Sequence, residues 1–315
     1  MTWPDGIRAR PAQPADLTAV AALIRAGEEQ LGAAGGGEGV LAEEWGEADL
    51  PTGSIVLEAA QGIVGYGLLT VSSEEAFAAG HVHPDWTGRG LGTALLRELA
   101  RRAEGRAPVL RAGCLTQDAA AAALLANEGM AFVRRFAWME VRLGDEPPPA
   151  AAPPARTVLR PARPGEEREF HDVIVAAFTG SWGFHDDDFG AWLERVTVQQ
   201  ARDPALWLVA EQGGRLVGTL RGLPEHRGGG WIRSLAVLPA VRGQGIGRAL
   251  LLQALAVFHA RGERVVGLGV DTGNETGALA LYESTGMAAR EAVDVYERPL
   301  GSPGAFSLGT RHPPN

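Results

Sequence analysis

Between Glu166 and Phe178, apolar side chains at Phe170, Val173, Ile174, Ala177 and Phe178 keep a helical spacing. That i, i+3, i+4, i+7, i+8 spacing gives a helix one buried face. Leu17, Val20, Ala21 and Ile24 repeat it near the N-terminus. Downstream of each helix the pattern shifts to short apolar runs broken by glycine. The run LWLVAEQGGRLVGTLRG predicts two strands about a turn at Gly213-Gly214, and IVLEAAQGIVGYGLL offers the same hairpin in the first half. A strand (WIRSLAVL), a glycine-dense turn and a helix from about Ile246 follow, with Ile246, Leu250, Ala254 and Val257 on the helix's inner face. A buried strand (RVVGLGV), a short helix from about Gly277 and a last strand (AVDVYERPL) complete the second half. The order β-α-β-β-β-α-β-α-β describes an α/β fold, a mixed sheet with helices on both faces.

The chain states this pattern twice. HVHPDWTGRGLGTALL in the first half matches LAVLPAVRGQGIGRALL in the second, aligning Gly90 and Gly92 with Gly245 and Gly247. Arg10-Pro11-Ala12 matches Arg160-Pro161-Ala162, and Gly129-Met130 matches Gly286-Met287. A repeat of that length is a duplicated domain, not a solenoid period. Between the copies lies DEPPPAAAPPAR, whose prolines block helix and sheet and favour an extended spacer. The expected organisation is an N-terminal domain over residues 1–144, a linker over 145–156, a C-terminal domain over 157–300 and a tail without fixed structure over 301–315.

Composition narrows the class. At 45% hydrophobic and 21% charged residues the chain reads as globular. No apolar run reaches the ~20 residues of a membrane span, and the N-terminus lacks the apolar core of a secretory signal. A cytoplasmic protein without a membrane partner is expected. The net charge of -9 argues against nonspecific nucleic-acid binding. Cys114 is the only cysteine, which excludes an intrachain disulfide and a cysteine metal cage. The histidines show no metal-ligand spacing, so no metal is expected.

The segment Arg242, Gly243, Gln244, Gly245, Ile246, Gly247, Arg248 stands between a strand and a helix N-terminus. Glycine lets successive N–H groups converge on a ligand that approaches the bare backbone. The helix start adds unpaired donors and a positive dipole end. The combination suits a phosphate, above all a pyrophosphate. A dinucleotide fingerprint needs G-x-G-x-x-G, whereas the spacing here is G-x-G-x-G. A Walker loop needs a lysine, and this chain has none. Tight packing alone is the remaining alternative, weakened by the recurrence of the turn in both copies.

Arg242-x-x-Gly245-x-Gly247 after Val237-Leu238-Pro239 resembles the acyl-CoA-binding motif of the GNAT superfamily of N-acetyltransferases. The later run from Asn274 through Ala278 and Tyr282 to Gly286-Met287 resembles that family's second signature. The resemblance covers both halves, and the tandem layout is similar to that of the mycothiol synthase family. It implies two GNAT-like domains that use acetyl-CoA as co-substrate, with acetyl transfer to a primary amine of a small molecule at the C-terminal domain. Acetylation of a cysteinyl amine, as in mycothiol synthase, is one alternative. A non-catalytic acyl-CoA sensor or scaffold is another. The chain would be a monomer with an internal pseudo-dimer, or a homodimer.

The resemblance also implies roles. Tyr282 would be the general acid for the departing thiolate. Leu235, Ala236 and Val237 would carry the backbone of a bulged fourth strand beside the thioester and pantetheine, and that strand would splay from the fifth. The residues from Arg242 to Arg248 would hold the pyrophosphate, while Asn274 and Ala278 would meet the CoA arm. Gly90 and Gly92 would keep a binding turn in the first copy. There, however, Leu125 stands where the second copy has Tyr282, and Thr87 where it has Arg242, so the first copy is expected to be catalytically idle.

The acceptor side is less defined. Mycothiol synthase places a glutamate eight residues before its proline; Trp231 stands there in this chain, and Ala76 in the first copy. Glu225 and His226, read as a loop before the fourth strand, are candidate acceptor or base residues. So are Trp182, Asp186 and Asp187, with Asp188 beside them, whose aromatics and carboxylates suit a cationic amine; a solvated turn ending in a helix cap is the alternative. Gly35-Gly36-Gly37 would be the matching, mobile loop of the first copy.

Overall fold

The computed structural model describes residues 3–33, 37–186, 188–199, 203–226, 228–274 and 276–301. The first half of the chain runs β1 (Arg8–Arg10), α1 (Leu17–Gln30), α2 (Gly37–Glu47), α3 (Leu50–Gly53), β2 (Ser54–Ala59), β3 (Gly62–Val71), β4 (Ala76–Val82), α4 (Leu91–Ala103), β5 (Val109–Leu115), α5 (Ala119–Asn127) and β6 (Ala131–Arg142). The second runs β7 (Thr157–Pro161), α6 (Glu167–Phe178), α7 (Phe189–Glu194), β8 (Trp207–Gln212), β9 (Arg215–His226), β10 (Gly229–Val237), α8 (Ile246–Ala260), β11 (Val265–Asp271), α9 (Ala278–Glu283) and β12 (Ala288–Pro299). Residues 145–156 carry neither helix nor strand.

The chain forms two compact units that do not coincide with its two halves. The first unit takes β12 from Val293 onward, and the second takes α2 and β6 from Arg134 onward. In the first unit the sheet order is β1-β2-β3-β4-β5-β12; in the second it is β7-β8-β9-β10-β11-β6. Val293 to Pro299 pair antiparallel with Leu115 to Val109, and Phe136 to Arg142 pair antiparallel with Asp271 to Val265. Each sheet is therefore closed by the last strand of the other half. The sequence pattern assigns AVDVYERPL to its own half, because period-2 alternation fits either sheet equally well and says nothing of the partner.

Alternation also sorts the faces of the second sheet. Leu208 and Ala210 on β8, Ile232 on β10, Val266, Leu268 and Val270 on β11, and Ala137 and Met139 on β6 share a core with α8. Trp207 and Val209 on β8 and Ala236 on β10 point the other way, into a core with Phe170, Val173 and Ala177 of α6. Phe258 of α8 is fully buried over Gly222 and Gly230, where a Cβ would come within 2.7 and 2.4 Å of its ring. Those glycines give the aromatic ring its seat.

Both units open with the same charge triad. Arg10 bonds Asp16 and Glu58 at 2.6 Å each, and Arg160 bonds Glu166 and Glu211 at 2.7 and 2.6 Å. In each case a first-strand arginine ties the start of the first helix to the second strand. Glu211 thus has a structural part.

Candidate functional site

The second sheet is opened at its centre. β10 and β11 pair in parallel only from Gly230 opposite Val266 to Ile232 opposite Leu268, although β10 continues to Val237 and β11 to Asp271. Past that point the two backbones no longer satisfy one another, leaving a slot with polar edges. At the same place β10 is bulged: its register with β9 shifts between Ile232 and Ser234, which leaves Arg233 as the extra residue. The first unit has the splay, since β4 and β5 pair only from Ala76 to Ala78. It lacks the bulge, for β3 and β4 pair without interruption from Gly65–Val82 to Val71–Ala76.

A glycine turn follows each opened strand. Gly243 and Gly245 have φ of +75° and +86°, with Gly245 as N-cap of α8; Gly88 and Gly90 have φ of +73° and +80°, with Gly90 as N-cap of α4. These left-handed residues turn successive N–H groups toward one side, and a Cβ on any of them would meet nothing within 4 Å. Gln244 and Arg248 are exposed, while Ile246 is buried and anchors the turn to the core. Gly247 serves packing: a Cβ there would lie 3.3 Å from Leu281 Cδ2 on α9. Gly92 is its counterpart under Leu124, at 2.9 Å. Arg242 stands at the start of the turn. Its guanidinium donates to the carbonyl oxygens of Ala177 at 2.7 Å and Val237 at 3.2 Å, so the side chain ties α6 to β10.

The Leu281–Gly247 contact brings α9 against the start of α8, and Tyr282 is the next residue. It is buried in the α8 core, and that burial pushes its phenol up to about 12. In the first unit Leu124 makes the corresponding contact and Leu125 is the buried neighbour. A cavity of 90 Å³ lies in that unit's splay, lined by Ala78, Gly80, Leu95, Leu124 and Leu125 among others. Asn274 accepts a hydrogen bond from Thr276 N at 2.8 Å and shapes the turn into α9, whose first residue is Ala278. Cys114 is half-buried and its thiol is raised to about 11, by burial first and then by Asp118 and Asp294, which disfavours the thiolate that a nucleophile needs.

The acceptor candidates belong to different elements. Glu225 and His226 belong to β9 and not to a loop, because the hairpin extends to pair His226 with Gly229. Asp188 accepts from Gly190 N and Ala191 N at 2.8 and 3.3 Å and caps α7. Asp186 is exposed, and Asp187 lies outside the described residues, as do Gly35 and Gly36; Gly37 opens α2. Trp182 is half-buried against Phe136 of β6, with ring centroids 5.9 Å apart, and Arg134 lies 5.9 Å over its ring. Trp231 is buried with its ring directly over Gly267, where a Cβ would come within 2.7 Å. Leu235 and Val237 face the α8 core and Ala236 the α6 core.

Two features were not foreseen. Among the described residues Ser234 Oγ, one residue past the bulge, is buried without a hydrogen bond, as is Thr219 Oγ1 on β9. Arg134, Phe136 and Trp138 reach the second unit only through the exchanged strand, so nothing in the local sequence announces them. Among the described residues no group of His, Cys, Asp and Glu could hold a metal ion, and no helix is long and apolar enough to cross a membrane.

Residues 168–287 match the model of the acetyltransferase (GNAT) family, and residues 51–130 match an acetyltransferase (GNAT) domain. The chain is 40% identical over 245 residues to a mycothiol acetyltransferase of Thermomonospora curvata, spanning 75% of this chain and 79% of that protein. A mycothiol acetyltransferase of Thermobispora bispora is 36% identical over 229 residues, spanning 69% and 74%. A GCN5-related N-acetyltransferase from Sphaerobacter thermophilus superposes with a TM-score of 0.84 at 30% identity, covering 95% of this chain and 97% of its own. A tandem GNAT protein from the clavulanic acid biosynthesis pathway superposes with a TM-score of 0.72 at 16% identity, covering 94% and 99%, a likeness of fold alone.

Proposed function

This chain belongs to the GNAT family of acetyltransferases, and from that premise we propose that its second unit carries the reaction: acetyl transfer from acetyl-CoA to the primary amine of a small molecule. The observation behind this reading is the asymmetry between the units. The bulged strand, the glycine turn and Tyr282 occur together only in the second, whereas the first has an unbroken strand and Leu125. The opened backbone of β10 and β11 suits an amide-bearing arm that adds like a strand, and the left-handed turn suits its phosphates. Acetyl-CoA supplies the activated acyl group; such a reaction belongs in the cytoplasm.

The residues divide the work. Backbone N–H groups at the bulge meet the negative charge that develops on the thioester oxygen. Tyr282 stays protonated and serves the departing sulfur. With a phenol at about 12 and an ordinary thiol at ~8.5, full proton transfer runs uphill in isolation. Hydrogen-bond donation to the sulfur is the part of the role that needs no match of pKa. Ser234 Oγ offers a hydroxyl beside the bulge for the incoming amine or a water.

The relatives named mycothiol acetyltransferase favour a cysteinyl amine as acceptor. Trp231, packed on Gly267, cannot act as a base, so deprotonation differs from an enzyme with glutamate at that place. Release of CoA thiol across a panel of amines, including the cysteinyl pseudodisaccharide precursor of mycothiol, tests the proposal. No release with any amine would refute it.

A further inference from the structure

The face of the second sheet turned toward α6 is open at one point. On β11, Val266, Leu268 and Val270 face the α8 core, so Gly267, Gly269 and Asp271 face the other way. The Trp231 ring covers Gly267. Gly269 is exposed, and a Cβ on it would meet only Trp138 Cδ1, at 3.8 Å. It is also the first residue of β11 past the last β10–β11 pair, Ile232 with Leu268. Bare backbone is thus exposed at the apex of the splay, on the side away from α8 and its glycine turn.

The walls around this point come from β6. Trp138 is in register with Gly269, and Phe136 with Asp271, which puts both side chains on the face opposite Ala137 and Met139. The Trp182 ring closes on Phe136 from the loop after α6. Because α6 packs over β9 and β10, a loop that reaches β6 passes over the ends of β10 and β11. At the far side Arg134 stands 3.0 Å from Asp271. Phe136, Trp138 and Trp182 are all half-buried. The exposed glycine backbone is thus flanked by half-buried aromatic side chains, with the Arg134–Asp271 ion pair beside them.

Resting on the reading that acetyl transfer takes place in this unit, the geometry points to Phe136 and Trp138 as specificity-determining residues for the acceptor. They would select an amine carrying a ring over a linear amine of the same charge. A ring stacks on flat walls that a chain cannot cover, and polar substituents on it can reach the Arg134–Asp271 pair. Specificity would then be set by a strand donated by the N-terminal half.

The test compares the cysteinyl pseudodisaccharide with cysteinamide as acceptors. Acceptor KM and acetyl-CoA KM are measured for the unaltered protein and for Phe136→Ala, Trp138→Ala and Trp138→Phe. Both amines are also titrated calorimetrically into each protein saturated with CoA, which reports acceptor binding without turnover. The unaltered protein should prefer the ring-bearing amine by about tenfold or more; each alanine variant should shrink that ratio to about twofold, and Trp138→Phe should recover most of it. Acetyl-CoA KM should not change. A ratio that survives both alanine substitutions, or one lost only together with acetyl-CoA affinity, overturns the assignment. If neither amine is acetylated, the transfer reading with these acceptors falls, and the titrations still decide the selectivity by the same ratio.

Discussion

Arg242 donates from Nη2 to the carbonyl oxygen of Ala177 at 2.7 Å, in the last turn of α6. The arginine of the turn motif is therefore spent on the protein itself, satisfying a helix-end carbonyl that has no partner within the helix. Arg242→Met should lower thermal stability, by about 1–2 kcal/mol for a broken charge-assisted bond at a partly buried site. Acetyl-CoA and acceptor KM should rise together and modestly, since the bond locates both the turn and the loop after α6. A tenfold loss of acetyl-CoA affinity at unchanged melting temperature would mean the guanidinium reaches phosphate instead.

Gly245 and Gly90 hold the same left-handed conformation in open space, so alanine at either costs strain without a clash, about 1–2 kcal/mol. The two variants should lose similar stability. Only Gly245→Ala should raise acetyl-CoA KM in turnover, by roughly tenfold, while Gly90→Ala should leave kcat and KM near those of the unaltered protein. Gly92 is a poorer probe, because substitution there would collide with Leu124. Steady-state kinetics on purified variants with matched melting curves makes the comparison.

What was legible in the sequence is what is local. The glycine turns, the hairpin at Gly213-Gly214, and Tyr282 against Leu125 all follow from spacing within one segment. A bulged fourth strand was expected from the resemblance, but its position at Arg233 and the exchange of β6 and β12 depend on which strand pairs with which, and alternation alone cannot choose. Trp138 and Phe136 were hidden for that reason: their neighbours Gly269 and Asp271 lie in the other half of the chain. Asp188 shows the opposite case. Its position just before Phe189 is a capping signal readable from sequence, and the bonds to Gly190 and Ala191 make it a helix cap.

His81 stacks on Tyr66 across β3 and β4, with centroids 6.5 Å apart, and burial lowers its pKa to about 4. A histidine whose folded pKa is depressed binds fewer protons when folded than when unfolded. Stability from this site is therefore full above about pH 6.5 and is lost as pH falls toward 4, on the order of 2 kcal/mol. Thermal unfolding between pH 7 and pH 4 should show this loss, and His81→Phe should flatten part of it. An identical slope in the variant would mean other groups carry the acid sensitivity.

The account stands on Tyr282 as the group that serves the departing sulfur in the second unit. The direct measurement is CoA thiol release by Tyr282→Phe at saturating acetyl-CoA and amine, paired with the acetyl-CoA dissociation constant of the same variant. Turnover should fall by roughly tenfold to a thousandfold while acetyl-CoA affinity stays within about twofold, as expected when only a donated proton or hydrogen bond is removed. Turnover within about twofold of the unaltered protein would contradict the account and move the chemistry away from Tyr282.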